Sequence, residues 1–349
     1  MDSAGVSRLL DLIDRFARAR VAVFGDLLAD EFIYGEIARV SREAPVLILN
    51  YSSTQIVPGG AGNAAGNVAA LGGRAAAVGM VGADDTGRRL LETMGRTIDV
   101  RGVVRPRGVV TPTKTRILAG GIHSAKQQVV RIDRTAGSAP GERELRAVES
   151  RLLAAAGRCD ALLVSDYGSG LVTPARVAAA HGRLRPPRGR FPLSERRESK
   201  RPLVLVDSRY ALLRYRGMTA CTPNESEVEQ LFGVRIGESK RVLETCGRAL
   251  LERTRARAVL VTRGSRGMAL FERQRPTVHI PIFGSDQIAD VTGAGDTVIA
   301  TMTLALAAGG TFLEAARLAN YAGGIVVMKR GTATVSADEL RQAVESDRD

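Results

Sequence analysis

The 349-residue chain has no tryptophan, and tyrosine and phenylalanine together make up only 4% of it. With so few rings, a surface that stacks the bases of single-stranded nucleic acid is not expected. Its three cysteines (Cys159, Cys221, Cys246) are widely spaced and form no Cys-x-x-Cys, which excludes a disulfide framework and a zinc knuckle. Three histidines (His123, His181, His279) leave no material for a histidine metal cluster or a His-x-Gly-His nucleotidyl-transfer motif. The uncharged apolar run at residues 297–313 contains Gly309-Gly310 and several threonines, so it reads as a buried helix plus a turn and not as a membrane span. The first twenty residues are a charged amphipathic helix (Leu9, Leu10, Ile13, Phe16) without the apolar core of a signal peptide, so a soluble cytoplasmic protein without membrane contact is expected.

Positive charge is abundant. The net charge is +13, and residues 183–201 alone hold eight Lys and Arg against two Glu. Such a run attracts phosphorylated ligands or nucleic acid. Like charges and three prolines also resist folding, so a solvated basic insertion is the expectation and nucleic acid is not an expected partner. Apolar residues are 44%, enough for a sizeable core in one large α/β domain or two small ones.

Short apolar runs alternate with helical patterns. Strands are expected at residues 21–25, 74–82, 161–165, 203–206 and 258–262, and helices at 63–71, 84–95, 142–156, 174–182, 224–232 and 240–254. The alternation predicts a parallel sheet covered on both faces. Residues 31–56 and 112–133 differ, with strand-like runs around Pro45 and Gly120-Gly121, and predict a small separate sheet lying over the site as a lid. Thr311 with Glu314, and Ser336 with Glu339, predict capping boxes for the last two helices.

Chemistry concentrates in Asp290-Val291-Thr292-Gly293-Ala294-Gly295-Asp296. The backbone N–H groups of Gly293, Ala294 and Gly295 can close on an anion at a helix N-terminus, and Asp296 in the first turn can take a proton from a hydroxyl attacking a phosphoryl group. A Gly-rich turn with a dipole-pairing Asp gives the same pattern. Four further segments carry partner chemistry. Gly59-Gly60-Ala61-Gly62-Asn63 permits close backbone approach and offers an amide to hydroxyls, and Asp26 and Asp30 flank a strand end, where open α/β sheets bind ligands. Asn224-Glu225-Ser226-Glu227 opens a helix. Glu227 there could orient a water of hydrated Mg²⁺, although a plain capping box is equally satisfied. Thr262-Arg263-Gly264-Ser265-Arg266-Gly267 ends a strand with glycines that fit a nucleotide phosphate.

In this order the segments resemble the ribokinase-like (PfkB) carbohydrate kinase family over about residues 20–345. The stretch Arg39-Val40-Ser41-Arg42-Glu43-Ala44-Pro45-Val46, with Arg131-Ile132-Asp133, Ser165-Asp166-Tyr167, Arg214-Tyr215-Arg216-Gly217 and Gly331-Thr332-Ala333-Thr334-Val335, resembles more narrowly its bacterial D-glycero-β-D-manno-heptose-7-phosphate kinases. That group often has Pro at Arg42, Lys at Ser169 and Pro-Lys at Ser208-Arg209.

The resemblance implies a three-layer α/β/α fold in one kinase domain over 1–349, with a mostly parallel central sheet and a β-sheet lid. It implies ATP and Mg²⁺, with phosphorylation of the heptose phosphate at O1 on the way to ADP-heptose. Another sugar, a phosphosugar or a nucleoside is the alternative acceptor, and a non-catalytic sensor is the rival of another class. Asp296 with Gly293, Ala294 and Gly295 would be catalytic. Asp26, Asp30, Gly59, Gly60, Asn63 and Asp166 would bind sugar hydroxyls, and Lys114, Arg116 and Arg131 the distal phosphate. Asn224, Glu225, Ser226, Glu227, Thr262, Gly264, Gly267 and Asn320 would bind the nucleotide, Glu227 acting on the metal through water. Lid pairing through Ile33 and Ile48 would make a homodimer. A separate nucleotidyltransferase is expected to complete the pathway.

Overall fold

Val21 and Val23 pack on one face of a strand while Ala22 and Phe24 pack on the other, all four fully buried. A strand with both faces apolar must lie inside a covered sheet. The computed structural model, which describes residues 3–120, 126–135, 140–183, 202–284, 290–329 and 331–347, places it there. Thirteen strands occur among the described residues: β1 (Arg20–Gly25), β2 (Leu27–Val40), β3 (Leu47–Gly60), β4 (Arg74–Met80), β5 (Asp99–Val104), β6 (Thr113–Gly120), β7 (Gln127–Arg134), β8 (Ala161–Asp166), β9 (Leu203–Ser208), β10 (Ala220–Cys221), β11 (Ala258–Thr262), β12 (Met268–Glu272) and β13 (Val278–Ile280).

Nine strands form the central sheet in the order β13-β12-β11-β10-β9-β8-β1-β4-β5. It is parallel except where β12 runs antiparallel to β11 and β13. Helices on its two faces bury two apolar clusters, giving the expected three layers. On one face, helix Ala294–Ala307 lies against Ala61–Ala70. Both are rich in alanine, and small side chains allow close approach. The sequence reading passed over β5 and β12, whose short runs carry no alternation strong enough to mark them.

The lid is a four-stranded sheet in the order β3-β2-β6-β7, with β2 and β6 parallel and the outer pairs antiparallel. Its strands reach further than expected. β2 starts at Leu27 and β3 ends at Gly60, so Asp30, Gly59 and Gly60 stand at the lid's root. Every residue of β7 is exposed. Ile33 and Ile48 are half-buried. The exposed apolar surface of the lid lies instead at Ile37, Val40, Leu47, Tyr51, Val129, Val130 and Ile132. The basic run at 183–201 lies outside the described residues except Arg183, which ends helix Pro174–Arg183.

Candidate active site

The carboxyl ends of β1, β8, β9, β10 and β11 release Asp26, Asp166-Tyr167, Asp207-Ser208-Arg209, Asn224 and Thr262 toward one edge of the central sheet, the ligand edge of open α/β folds. Helix Ala294–Ala307 begins there too. Gly293 caps it with φ of +80°, a backbone state that other residues adopt only with strain. A Cβ at Gly293 would come within 2.5 Å of the Asn63 amide nitrogen, so glycine is required twice over.

Asp296 occupies the first turn of that helix and is 4% exposed. Asn63 Nδ2 donates to its Oδ2 at 2.8 Å, and the Tyr167 hydroxyl donates to its Oδ1 at 3.2 Å. Burial pushes the Asp296 carboxyl up to about 7, against the pull of those two donors. A carboxylate in that range is matched to accepting a proton near neutral pH. Two residues that the sequence reading did not assign hold this geometry. Tyr167 is one. Asn67 is the other: its Nδ2 donates to Asn63 Oδ1 at 3.2 Å, which turns the Asn63 amide nitrogen toward Asp296. Thr297 in turn donates to Asn67 Oδ1 at 3.1 Å. The Gly-Asn-Ala-Ala-Gly-Asn spacing puts Asn63 and Asn67 on one helical face, which was the available signal.

Two cavities share Tyr167, the hydroxyl partner of Asp296. The first, of about 500 Å³, is lined by Asn224, Glu225, Ser226, Glu227, Thr262, Gly264, Gly267, Gly293, Ala294, Gly295, Asp296 and Asn320, which brings together every residue predicted for the nucleotide and for the anion loop. Asn224 and Glu227 form the plain capping box, at 2.8 and 3.0 Å, while still facing this space. Glu225 is a structural anchor, ion-paired to Arg263 at 2.6 Å and to Arg266. Asn320 donates to the Pro281 carbonyl at 2.9 Å, holding the strand exit against its helix. Gly323 and Gly324 of the same helix also line the space, and a side chain at Gly324 would collide with Phe283.

The first cavity also holds Asp207, which the sequence reading did not assign. Burial, then the charges of Asp296 and Glu227, push its carboxyl well above the usual range. Burial pushes Glu227 up as well. Among the described residues no group of three or more metal-ligating side chains occurs. Two destabilised carboxylates facing one cavity still fit a Mg²⁺ ion, which keeps several waters and takes most of its remaining ligands from phosphates.

The second cavity, of about 670 Å³, lies under the lid and is lined by Asp26, Lys114, Arg131, Arg134, Ser169 and Arg209 among others. Of the predicted sugar-side residues, Asp26, Lys114 and Arg131 line it. Asp166 lines the first cavity, and Asp30, Gly59, Gly60, Asn63 and Arg116 lie outside either lining. Arg116 is placed differently from expectation. Its guanidinium pairs with Asp30 at 2.5 Å and lies 5.3 Å from the Phe32 ring, so its charge is already neutralised. Asp166 accepts from Ser208 and Tyr215, both at 2.8 Å, and from the Gly168 N–H, so it braces the strand ends. Burial lowers the Lys114 ammonium's affinity for its proton, and Arg131 and Arg209 add to that, which makes an anion here welcome.

The chain is similar to several known proteins. The family model for pfkB family carbohydrate kinases matches residues 18–339. "Bifunctional protein HldE" of Geobacter sulfurreducens is 39% identical over 91% of this chain and 61% of its own length. The protein of the same name from Caulobacter vibrioides is 37% identical over 95% of this chain and 64% of its own. The chain thus spans a little over three-fifths of these relatives. Their name joins two functions on one chain, so the expectation of a separate nucleotidyltransferase draws no support from them. Among solved structures, phosphofructokinase-2 from Escherichia coli in complex with potassium superposes with a TM-score of 0.70 at 18% identity, covering 94% of this chain and 99% of that one. Arabidopsis thaliana ribokinase complexed with ribose and ATP gives 0.67 at 18% identity with the same coverage. At that identity the likeness establishes the ribokinase-like fold, and with the family match over nearly the whole sequence the chain belongs to the pfkB family of carbohydrate kinases.

Proposed function

We propose that this chain transfers the γ-phosphoryl group of ATP to the anomeric hydroxyl of D-glycero-β-D-manno-heptose 7-phosphate, giving the 1,7-bisphosphate used in ADP-heptose and lipopolysaccharide precursor synthesis. The observation that carries the reading is the buried Asp296, held by Asn63 and by Tyr167, which lines both cavities. The nucleotide takes the first cavity, with its purine toward Gly323 and Gly324. The phosphosugar takes the second, with its distal phosphate among Lys114, Arg131 and Arg134. The family match supports a sugar kinase. The stretch at 39–46 and the relatives named HldE favour the heptose phosphate.

Asp296 accepts the proton of the attacking hydroxyl. The new bond forms from sugar oxygen to γ-phosphorus as the bond to the β,γ-bridging oxygen breaks, and ADP leaves. Charge on the transferring group falls on the N–H groups at the start of helix Ala294–Ala307, where the helix dipole adds to them. Asp207 and Glu227 would hold a hydrated Mg²⁺, which when bound screens the phosphate charges. Asp26, which lines the second cavity beside Ser169, is the carboxylate placed to receive sugar hydroxyls, while Asp30 stays paired with Arg116 at the lid root. Two lids pairing through Leu47, Val130 and Ile132 would form a homodimer.

The test is ATP consumption by purified protein with the heptose 7-phosphate beside fructose 6-phosphate, ribose and adenosine. Heptose-selective turnover supports the proposal, and selective turnover of any other acceptor overturns the assigned substrate.

A further inference from the structure

Among the described residues only two line both cavities, Tyr167 and Arg209. Tyr167 holds the base. Of these two, Arg209 is the charged one. Its electrostatic partners come from both sides: Asp207 and Glu227 in the first cavity, Lys114 in the second, and the Tyr167 hydroxyl between them. Among the described residues its side chain makes no hydrogen bond and no close ion pair, and it is exposed. Its backbone is firmly set all the same. The Arg209 N–H donates to the Asp166 carbonyl at 3.0 Å, and the preceding Ser208 hydroxyl donates to the Asp166 carboxylate. A fixed stem thus carries an uncommitted guanidinium to the boundary that a phosphoryl group must cross.

We propose that Arg209 is a catalytic residue that grips the phosphoryl group during transfer, as an arginine clamp supplied within the same chain. The proposal rests on the kinase reading above and adds a role to it. A guanidinium presents two parallel N–H donors to two phosphoryl oxygens and remains protonated throughout, so it takes no part in the proton balance. The transferring group loosens from both oxygens and spreads its charge over its equatorial oxygens, and donors aimed there bind it more tightly in flight than at rest. Lys114, Arg131 and Arg134 line the sugar side alone and cannot follow the group from donor to acceptor.

Arg209→Ala and Arg209→Lys separate this role from simple substrate attraction. The expected result for Arg209→Ala is a loss of about 10³ in kcat, with KM for ATP and for the phosphosugar nearly unchanged, since only transition-state contact is removed. Arg209→Lys keeps the charge but not the fork and should fall between. A second measurement avoids turnover. Wild-type protein should bind MgADP more tightly when aluminium fluoride supplies the planar mimic of the moving group, and Arg209→Ala should lose that added tightening while binding MgADP alone normally.

A raised KM for the phosphosugar with kcat retained would place Arg209 in the distal-phosphate subsite and overturn the proposal. Unchanged kinetics would overturn it as well. Asp296→Asn measured alongside tells the two readings apart. If turnover survives that change, the base assignment fails, while the fluoride measurement still reports on Arg209. If another acceptor proves to be the substrate, the Arg209 kinetics are read on that acceptor.

Discussion

Replacing Asp296 by Asn should inactivate the protein and stabilise it at the same time. The side chain keeps its shape, and its Oδ1 can still accept from Asn63. What disappears is a carboxylate that burial has pushed from 3.8 up to about 7. The sign is set by that raised folded value. The folded protein binds the Asp296 proton more tightly than the unfolded chain does. The stability this confers is complete below about pH 4 and is lost as pH rises through about 7. A shift of about three units corresponds to roughly 4 kcal/mol at 1.36 kcal/mol per unit, an upper bound for the cost of holding the charge at pH 8. Asn carries no such cost. At roughly 2 °C per kcal/mol for a protein of this size, Asp296→Asn should melt several degrees above wild type at pH 8 and within about 2 °C of it at pH 4.5. Turnover at pH 8 should fall by about 10²–10⁴, the contribution of a general base. Thermal melts across pH 4.5–8, with ATP turnover at each pH, check both. A melting difference that is flat across this range would refute the buried-charge argument, and turnover near wild type would refute the base.

Three further outcomes follow from the same geometry. Tyr167→Phe removes one donor to the Asp296 carboxylate, and a hydrogen bond to a charged group is worth about 1.5–3 kcal/mol, so the acid limb of the kcat/KM profile should move up by about one pH unit. If the limb stays while the plateau drops, the tyrosine acts elsewhere. Gly293→Ala strains a residue at φ +80° and presses on Asn63; it should cost about 1–3 kcal/mol in denaturant melts and abolish measurable turnover. Arg263→Ala takes one of the two arginine partners from Glu225, whose residue is only 9% exposed, and leaves Arg266 as the other; it should cost about 1–3 kcal/mol while raising KM for ATP and sparing KM for the phosphosugar.

Short segments with a local mechanism were legible before any coordinates. Both predicted capping boxes formed, and so did the one at Asn224 and Glu227, because a side chain and a backbone N–H three residues apart need nothing from the rest of the fold. The turn at Gly293 into helix Ala294–Ala307 was legible for the same reason, since a run of small residues before an apolar stretch marks a helix start from local sequence alone. The central strands were marked by unbroken apolar runs, and the alternation with helices dictated a covered parallel sheet.

Other features depend on residues that only packing brings together. Asn63 and Asp296 lie 233 positions apart, and their contact at 2.8 Å exists because two alanine-rich helices press against one sheet face. Arg116 read as a phosphate ligand until the register of β2 beside β6 set it on Asp30, since strand pairing and not composition decides which charges meet. Asp207 carries no motif, and Arg209 showed in the sequence only as a departure from a frequent lysine. That Asp207 faces the first cavity and Arg209 lines both is a property of where β9 ends against β8 and β10. The sequence by itself determined the layered fold, the helix caps and the glycine turn into helix Ala294–Ala307, because each rests on contacts within a few residues or on a simple period. The tertiary structure alone decided which carboxylate is buried to near neutral affinity and which cation stays unpaired at the crossing, because burial and pairing are set by neighbours remote in the chain.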